Sequence, residues 1–322
     1  AYDLFLKARQ VGGGALETRV NFREAENLLT AAVELDPTFG LAWCKLAEVH
    51  AGFMAASVDT TPARLAKAKA ALERARALIP DSPAVARAQG NYYLFAVRDL
   101  SRAREYFEQL VELQPNDPES RWGLATVLLL QGQWKEAMEM QRRVTQLDPR
   151  NPAYAKGLLQ SLWNARRYDE ALAEARRLNA LQPGRPSVEA LEHFIRADAA
   201  GNWEDLAPAL ERLIARYPDA PEANEFRKFV AAIRGDVQEF ARLDGAKEAR
   251  QIYSSWDADT RSALNAAGFY VNHGEPEMAR RRLGNLPEKL RAQLELEPEN
   301  TQVLRSLATA ESFLGHPEEA LK

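Results

Sequence analysis

The chain has 322 residues, 46% hydrophobic and 27% charged, with a formal net charge of −4. That balance excludes a disordered polymer, and a charge so close to neutral supplies no large single-sign field to hold nucleic acid or an anionic membrane. The single cysteine, Cys44, excludes an intramolecular disulfide and favours a reducing, cytoplasmic compartment over the periplasm; no apolar run approaches a membrane span and no signal peptide is visible.

The chain opens in a helix-like segment, AYDLFLKARQ. Gly12-Gly13-Gly14 follows and reads as a flexible turn, because no strand precedes it and no Lys-Ser or Lys-Thr stands at phosphate-loop spacing. From there prolines measure the sequence. Pro37, Pro80, Pro115, Pro149, Pro183, Pro218 and Pro298 are each predicted to close a helix. The gaps from Pro80 to Pro218 are 35, 34, 34 and 35 residues. A fixed period of this length predicts stacked supersecondary units.

Twelve residues before four of these prolines stand Ala25, Ala68, Ala137 and Ala171, and five before the first two stand Ala32 and Ala75. Such small residues let a neighbouring helix approach closely. Leu29, Leu72 and Leu210, eight before a proline, fill the remaining space. After the prolines come amphipathic stripes, such as Trp43, Leu46, Ala47, His50 and Ala155, Leu158, Leu159, Leu162. Gly132, Gly201, Gly235, Gly274 and Gly315 end the first helix of their units. Trp134, Tyr168 and Trp203 open the second.

The period is stretched on both sides of this regular stretch. The gap from Pro37 to Pro80 is 43, so about nine residues are added around Met54 to Thr61, as an extended first helix or a longer turn. Between Pro218 and Pro298 two units fit, the first degenerate, with Lys228 where Gly or Ala is expected. Gly284-Asn285-Leu286-Pro287 predicts a helix break. The chain stops in EEALK, the start of another helix, and reads as a fragment of a larger protein.

These residues carry a resemblance to the tetratricopeptide repeat. One unit supplies Trp43, Leu46, Ala47, His50, Ala68, Leu72, Ala75 and Pro80; another supplies Leu124, Ala125, Leu128, Ala137, Val144 and Pro149. The resemblance implies an all-α, right-handed solenoid superhelix of stacked antiparallel helix pairs, about eight pairs plus a truncated ninth. It implies one superhelix over 1–322, regular at 80–218, degenerate at 219–298 and truncated at 299–322. The first ten residues also resemble the openings of repeat segments in bacterial modular signalling proteins, which carry class III nucleotide cyclase or winged-helix modules.

No chemistry emerges from the residues. His50, His193, His273 and His316 are scattered, no nucleophile motif surrounds Cys44, and no metal, cofactor or catalytic residue is expected. The resemblance implies instead that first helices line a concave face. Its positions map to Arg87, Asn91, Leu94 and Phe95, allowing one inserted residue. They continue with Trp122, Thr126, Leu129 and Leu130, then with Lys156, Gln160, Trp163 and Asn164. Aromatics, amides and cations suit an extended peptide; for Trp122, Leu129 and Leu130, packing between repeats is the competing reading. Arg87 and Asn91 also match positions of a carboxylate clamp in chaperone-tail-binding members, but Gly123 stands where that clamp needs an amide. The expected function is a non-catalytic scaffold for a protein or peptide, with neither direct nucleic-acid contact nor membrane insertion. The alternatives are a regulatory domain of a bacterial signalling protein and a substrate-positioning appendage of a transferase or hydrolase.

Overall fold

The computed structural model describes residues 1–13, 19–56, 59–244, 256–296 and 301–320. Among them all regular structure is helical. Contacts divide the chain into two compact units, Ala1–Asn202 and Trp203–Lys322.

The first unit holds α1 (Tyr2–Gly13), α2 (Arg19–Leu35), α3 (Gly40–Ala55), α4 (Pro62–Leu78), α5 (Pro83–Asn91) with a π-helical continuation over Tyr92–Val97, and α6 (Leu100–Leu113). It continues with α7 (Pro118–Leu130), α8 (Trp134–Leu147), α9 (Pro152–Asn164), α10 (Tyr168–Leu181) and α11 (Pro186–Ala200). Helices pack as pairs, α1 on α2 through α9 on α10, and the first helices α3, α5 and α7 also touch in series. The chain is thus an all-α solenoid of stacked helix pairs, as the period predicts.

Each pair closes where a proline was expected to close it. Helices α4, α6, α8 and α10 end two residues before Pro80, Pro115, Pro149 and Pro183. The residue between leaves the helical region: Gln114 has φ −131° and ψ 70°, Asp148 −133° and 79°. Proline's ring excludes the helical conformation from the residue before it. Pro298 lies outside the described residues. A second ladder of prolines, Pro83, Pro118, Pro152 and Pro186, starts the next first helix, where a missing N–H costs nothing.

The extra residues between Pro37 and Pro80 are shared out. Relative to α7 and α8, α3 is longer by three residues, α4 by three, and their connection by three. Buried Arg64 ties this insertion down: it donates to Asp59 Oδ2 at 2.9 Å, Glu26 Oε1 at 2.8 Å and His50 Nδ1 at 2.7 Å. The single residue added before Pro115 is absorbed in the π-helical turn at Tyr92–Val97, the usual fate of a one-residue insertion in a helix.

The alanines counted back from the prolines, Ala25, Ala68, Ala137, Ala171, Ala32 and Ala75, are fully buried, and so are Leu29 and Leu210. Phe107 takes the leucine's place in its unit, wedged against Gly90 and Gly123. The five first-helix glycines all have positive φ, as expected; Arg98 (φ 62°) and Arg166 (φ 57°) serve the same turn without a glycine's freedom. One expectation is corrected: α1 runs on through Gly12 and Gly13, so the turn does not begin there, and Gly14 lies outside the described residues.

The second unit holds α12 (Leu206–Arg216), α13 (Ala223–Arg234), α14 (Val237–Asp244), α15 (Trp256–Asn272), α16 (Pro276–Leu283), α17 (Leu286–Leu296), α18 (Thr301–Leu314) and α19 (Pro317–Ala320). The helix break falls at Gly284-Asn285 as predicted, and Pro287 sits in the first turn of α17. Lys228 is buried on α13. Its ammonium meets Asp244 Oδ1 at 3.1 Å, and Arg282 Nε reaches Asp244 Oδ2 at 2.6 Å.

Candidate functional site

The expected binding residues lie on α5, α7 and α9, whose starts are set alike. Ser82, Asp117 and Asn151 cap these helices with side-chain oxygens that accept backbone N–H bonds, and Pro83, Pro118 and Pro152 follow in the first turn. Equivalent positions on the three helices therefore fall at equivalent depths.

Three of the residues join neighbouring first helices. Arg87 Nε of α5 lies 3.3 Å from Glu48 Oε1 on α3 and 3.2 Å from Glu119 Oε2 on α7, with Asp117 Oδ2 3.9 Å from its Nη1. Burial opposes the Arg87 charge, but Glu48, Glu119 and Asp117 outweigh it and hold the guanidinium protonated. Lys45 pairs with the same Glu48 at 2.9 Å. Arg87 is thus engaged by the protein's own carboxylates.

Trp122 of α7 packs against Gly157 and Tyr154 of α9, with the two ring centroids 5.1 Å apart. Trp163 of α9 donates its indole N–H to Asp198 Oδ2 of α11 at 2.9 Å, and Tyr168 donates to the same oxygen at 3.3 Å. Packing between repeats is therefore what Trp122 does. Leu129 is half-buried, whereas Leu130 is 59% exposed and packs little.

Asn91 is half-buried. Phe95, in the π-helical turn, lies against Ala51, Met54 and Ala96. Thr126 returns its hydroxyl to the Trp122 carbonyl at 2.9 Å. Lys156, Gln160 and Asn164 are exposed along α9, and Gln160 Nε2 donates to Asn164 Oδ1 at 2.9 Å. The structure brings these nine residues onto three neighbouring helices and ties several of them to neighbouring side chains.

Sequence reasoning missed the carboxylates. Glu48 lies midway along α3, Asp117 and Glu119 at the start of α7, and Asp148 just before α9. Burial pushes the Tyr154 hydroxyl above its ordinary pKa, and Glu119, Asp148 and Asp117 push it further. The spacing of Glu119 three residues before Trp122 was the available signal, since such a pair shares one helical face. Cys44 of α3 is buried; burial, with Glu48 adding, pushes its thiol up to about 12.

Among the described residues no group of three or more His, Cys, Asp or Glu side chains is arranged to hold a metal ion, and no helix is long and apolar enough to cross a membrane.

Comparison with known proteins agrees with the repeat architecture. The family model of the tetratricopeptide repeat matches residues 94–162. No curated protein matches the chain. Among solved structures, the APC/C hetero-tetramer Cut9–Hcn1 is similar with a TM-score of 0.58 at 14% identity, covering 95% of this chain and 55% of that one. Yeast Tom70 is similar at 0.55 and 14% identity, covering 98% and 82%. PilW, a widely conserved type IV pilus biogenesis factor, is similar at 0.51 and 19% identity, covering 70% and 96%. At these identities the likeness is one of fold.

Proposed function

The chain carries tetratricopeptide repeats, and we propose that it is a non-catalytic scaffold for protein–protein interaction that takes an extended peptide or partner segment along α5, α7 and α9. The exposed stripe of α9 carries this reading. Lys156, Gln160 and Asn164 recur one turn apart on the surface, while Leu158, Leu159 and Leu162 of the same helix are buried. The amides of Gln160 and Asn164 offer donors and acceptors to a peptide backbone, which has both at every residue. Half-buried Trp163 and Trp122 supply apolar surface whose orientation is fixed by the ties to Asp198 and Gly157. Rigid aromatic surface beside polar groups lowers the ordering cost of binding. Repeat scaffolds of this class generally act through such surfaces.

The test is an array of short peptides of varied sequence probed with the labelled protein and its variants. Gln160→Ala and Asn164→Ala together are expected to abolish or weaken most of the captured signals, with circular dichroism unchanged. Capture by the double variant at wild-type level, or no capture by either, would sink the reading.

A further inference from the structure

One position of the repeat breaks a rule that the others obey. Eight residues before the closing prolines stand Leu29, Leu72, Phe107, Ala175, Leu210 and Leu290, all apolar and all buried. In α8 the same position is Gln141. It is 2% exposed, and its Oε1 has no hydrogen-bond partner among the described residues. Buried amides are normally satisfied, so this one marks a place where the packing is incomplete. Thr145, one turn on and also buried, gives it nothing, because its hydroxyl donates to the Arg142 carbonyl at 2.9 Å.

Gln141 stands where two hydrophobic clusters meet. Ala137, four residues earlier, packs in the cluster that spans α6, α7 and α8; Met138, three residues earlier, packs in the one that spans α8 to α11. Residues at these spacings share a helix face, so Gln141 lies on the seam and belongs to neither cluster. Leu29, Leu72, Phe107 and Ala175 are each members of the cluster around them. The first helices show the same discontinuity. Helices α3, α5 and α7 touch in series, whereas α7 meets α9 through the Trp122 ring, seated on Gly157 and Tyr154.

We propose that this seam is a joint built into the first unit, about which the helices up to α8 and those from α9 on open and close. The closed state buries the Gln141 amide oxygen without a protein partner. Opening gives that oxygen water, and the gain offsets part of the cost of exposing apolar surface. At the seam filled by Phe107, one unit earlier, opening exposes apolar surface with no such return. The seam at Gln141 therefore opens at lower cost than the seam at Phe107. Movement there changes the spacing between Trp122 and Gln160, so the groove adjusts to its occupant. That consequence rests on the peptide-binding reading above; the joint itself stands on packing alone.

Native-state amide hydrogen exchange, read by mass spectrometry with no peptide present, tests the joint. In the wild type, buried amides of α8 and α9 should exchange about tenfold faster than those of α6 and α7, the scale of one unsatisfied buried polar group. Gln141→Leu restores the apolar residue of the other units. It should slow exchange in α8 and α9 about tenfold and leave α3 and α4 unchanged. The joint is overturned if α8 and α9 are protected in the wild type as strongly as α6 and α7, a comparison that needs no variant to fold. It is overturned also if Gln141→Leu leaves α8 and α9 as they were, or slows the whole first unit equally, which would place the effect on global unfolding. Faster exchange in a folded Gln141→Leu would show that the amide holds the closed state together, and would sink the joint too. Because no peptide enters, a protein that binds peptides but shows no fast seam loses the joint and keeps the scaffold; a fast seam in a protein that binds none does the reverse.

Discussion

Trp122 of α7 sits against the bare backbone of Gly157 on α9, so closely that a Cβ at Gly157 would stand 2.0 Å from the indole Cη2. The same construction recurs one unit earlier, where a Cβ at Gly123 would stand 2.2 Å from Phe107 Cε1. A large ring on one helix and no side chain on the next set the distance between repeats.

Gly157→Ala is therefore expected to destabilise the first unit by about 1–3 kcal/mol, the range for overpacking a filled site. The Trp122 ring, pinned by Tyr154, cannot move aside as the end of a flexible chain would. Combining Gly157→Ala with Trp122→Leu should recover part of the loss, and chemical denaturation of the four-member mutant cycle measures that coupling. Strictly additive effects would show that the two residues do not share the site.

Arg98 and Arg166 hold left-handed backbone at turns where other units use glycine. An L-residue pays about 1–2 kcal/mol for that conformation, and glycine returns part of the gain as unfolded-state entropy. Arg166→Gly should raise stability by about 0.5–1 kcal/mol, read as a higher melting temperature. A lower one would mean that the Arg166 side chain contributes contacts worth more than the strain.

His50 gives the first unit a defined pH dependence. Burial, and then the charge of Arg64, lower its pKa from 6.5 to about 4, with Glu26 and Asp59 pulling the other way and Lys67 adding to Arg64. The Arg64 guanidinium donates to Nδ1, so the ring is neutral when the bond is made. The unfolded imidazole takes up a proton that the folded one refuses. This contribution to stability is thus complete above about pH 6.5 and is lost as pH falls toward 4. His50→Gln keeps an acceptor for Arg64 and cannot titrate. The stability difference between wild type and this variant should change across that window, and a constant difference would remove His50 as the cause.

In the second unit, Asp244 is the anion between two cations. Asp244→Asn leaves Lys228, which also lies 3.8 Å from Glu225, and Arg282 without their shared carboxylate. Breaking a buried pair in this way costs about 3–5 kcal/mol. Replacing Lys228, Asp244 and Arg282 together with Met, Leu and Met should be tolerated, since the whole triad's desolvation is then relieved. Amide hydrogen exchange over α13–α16 distinguishes the two variants; equal protection in both would contradict this account.

Much of the architecture was legible in the one-dimensional pattern because its causes are local. Proline forbids a helical residue before it, glycine permits the left-handed turn, and alanine at a fixed offset lets a helix approach; each acts at its own position. The buried alanines and the break at Gly284 followed from these rules. The insertion between Pro37 and Pro80 was expected in the first helix or the turn, but a third of it lengthens α4, where Arg64 reaches Asp59, Glu26 and His50, partners up to 38 residues away.

The candidate site divides along the same line. The repeat period placed Arg87, Trp122, Lys156, Gln160 and Trp163 on the first helices, because a helix position follows from counting residues. Counting does not say which side chains are engaged. Arg87 reads as a cation of the groove in the sequence and is held between Glu48 and Glu119 in the fold; Trp122 reads equally as a groove aromatic and as packing between repeats, and is seated on Gly157; Tyr154 carried no signal and packs on the Trp122 ring. The sequence by itself determined the repeat and the register of the helices from Pro80 to Pro218, since both are written in near-neighbour stereochemistry. Only the tertiary structure decided which charges cancel and which remain, because Coulomb partners and burial are set by helices that meet in space and not along the chain.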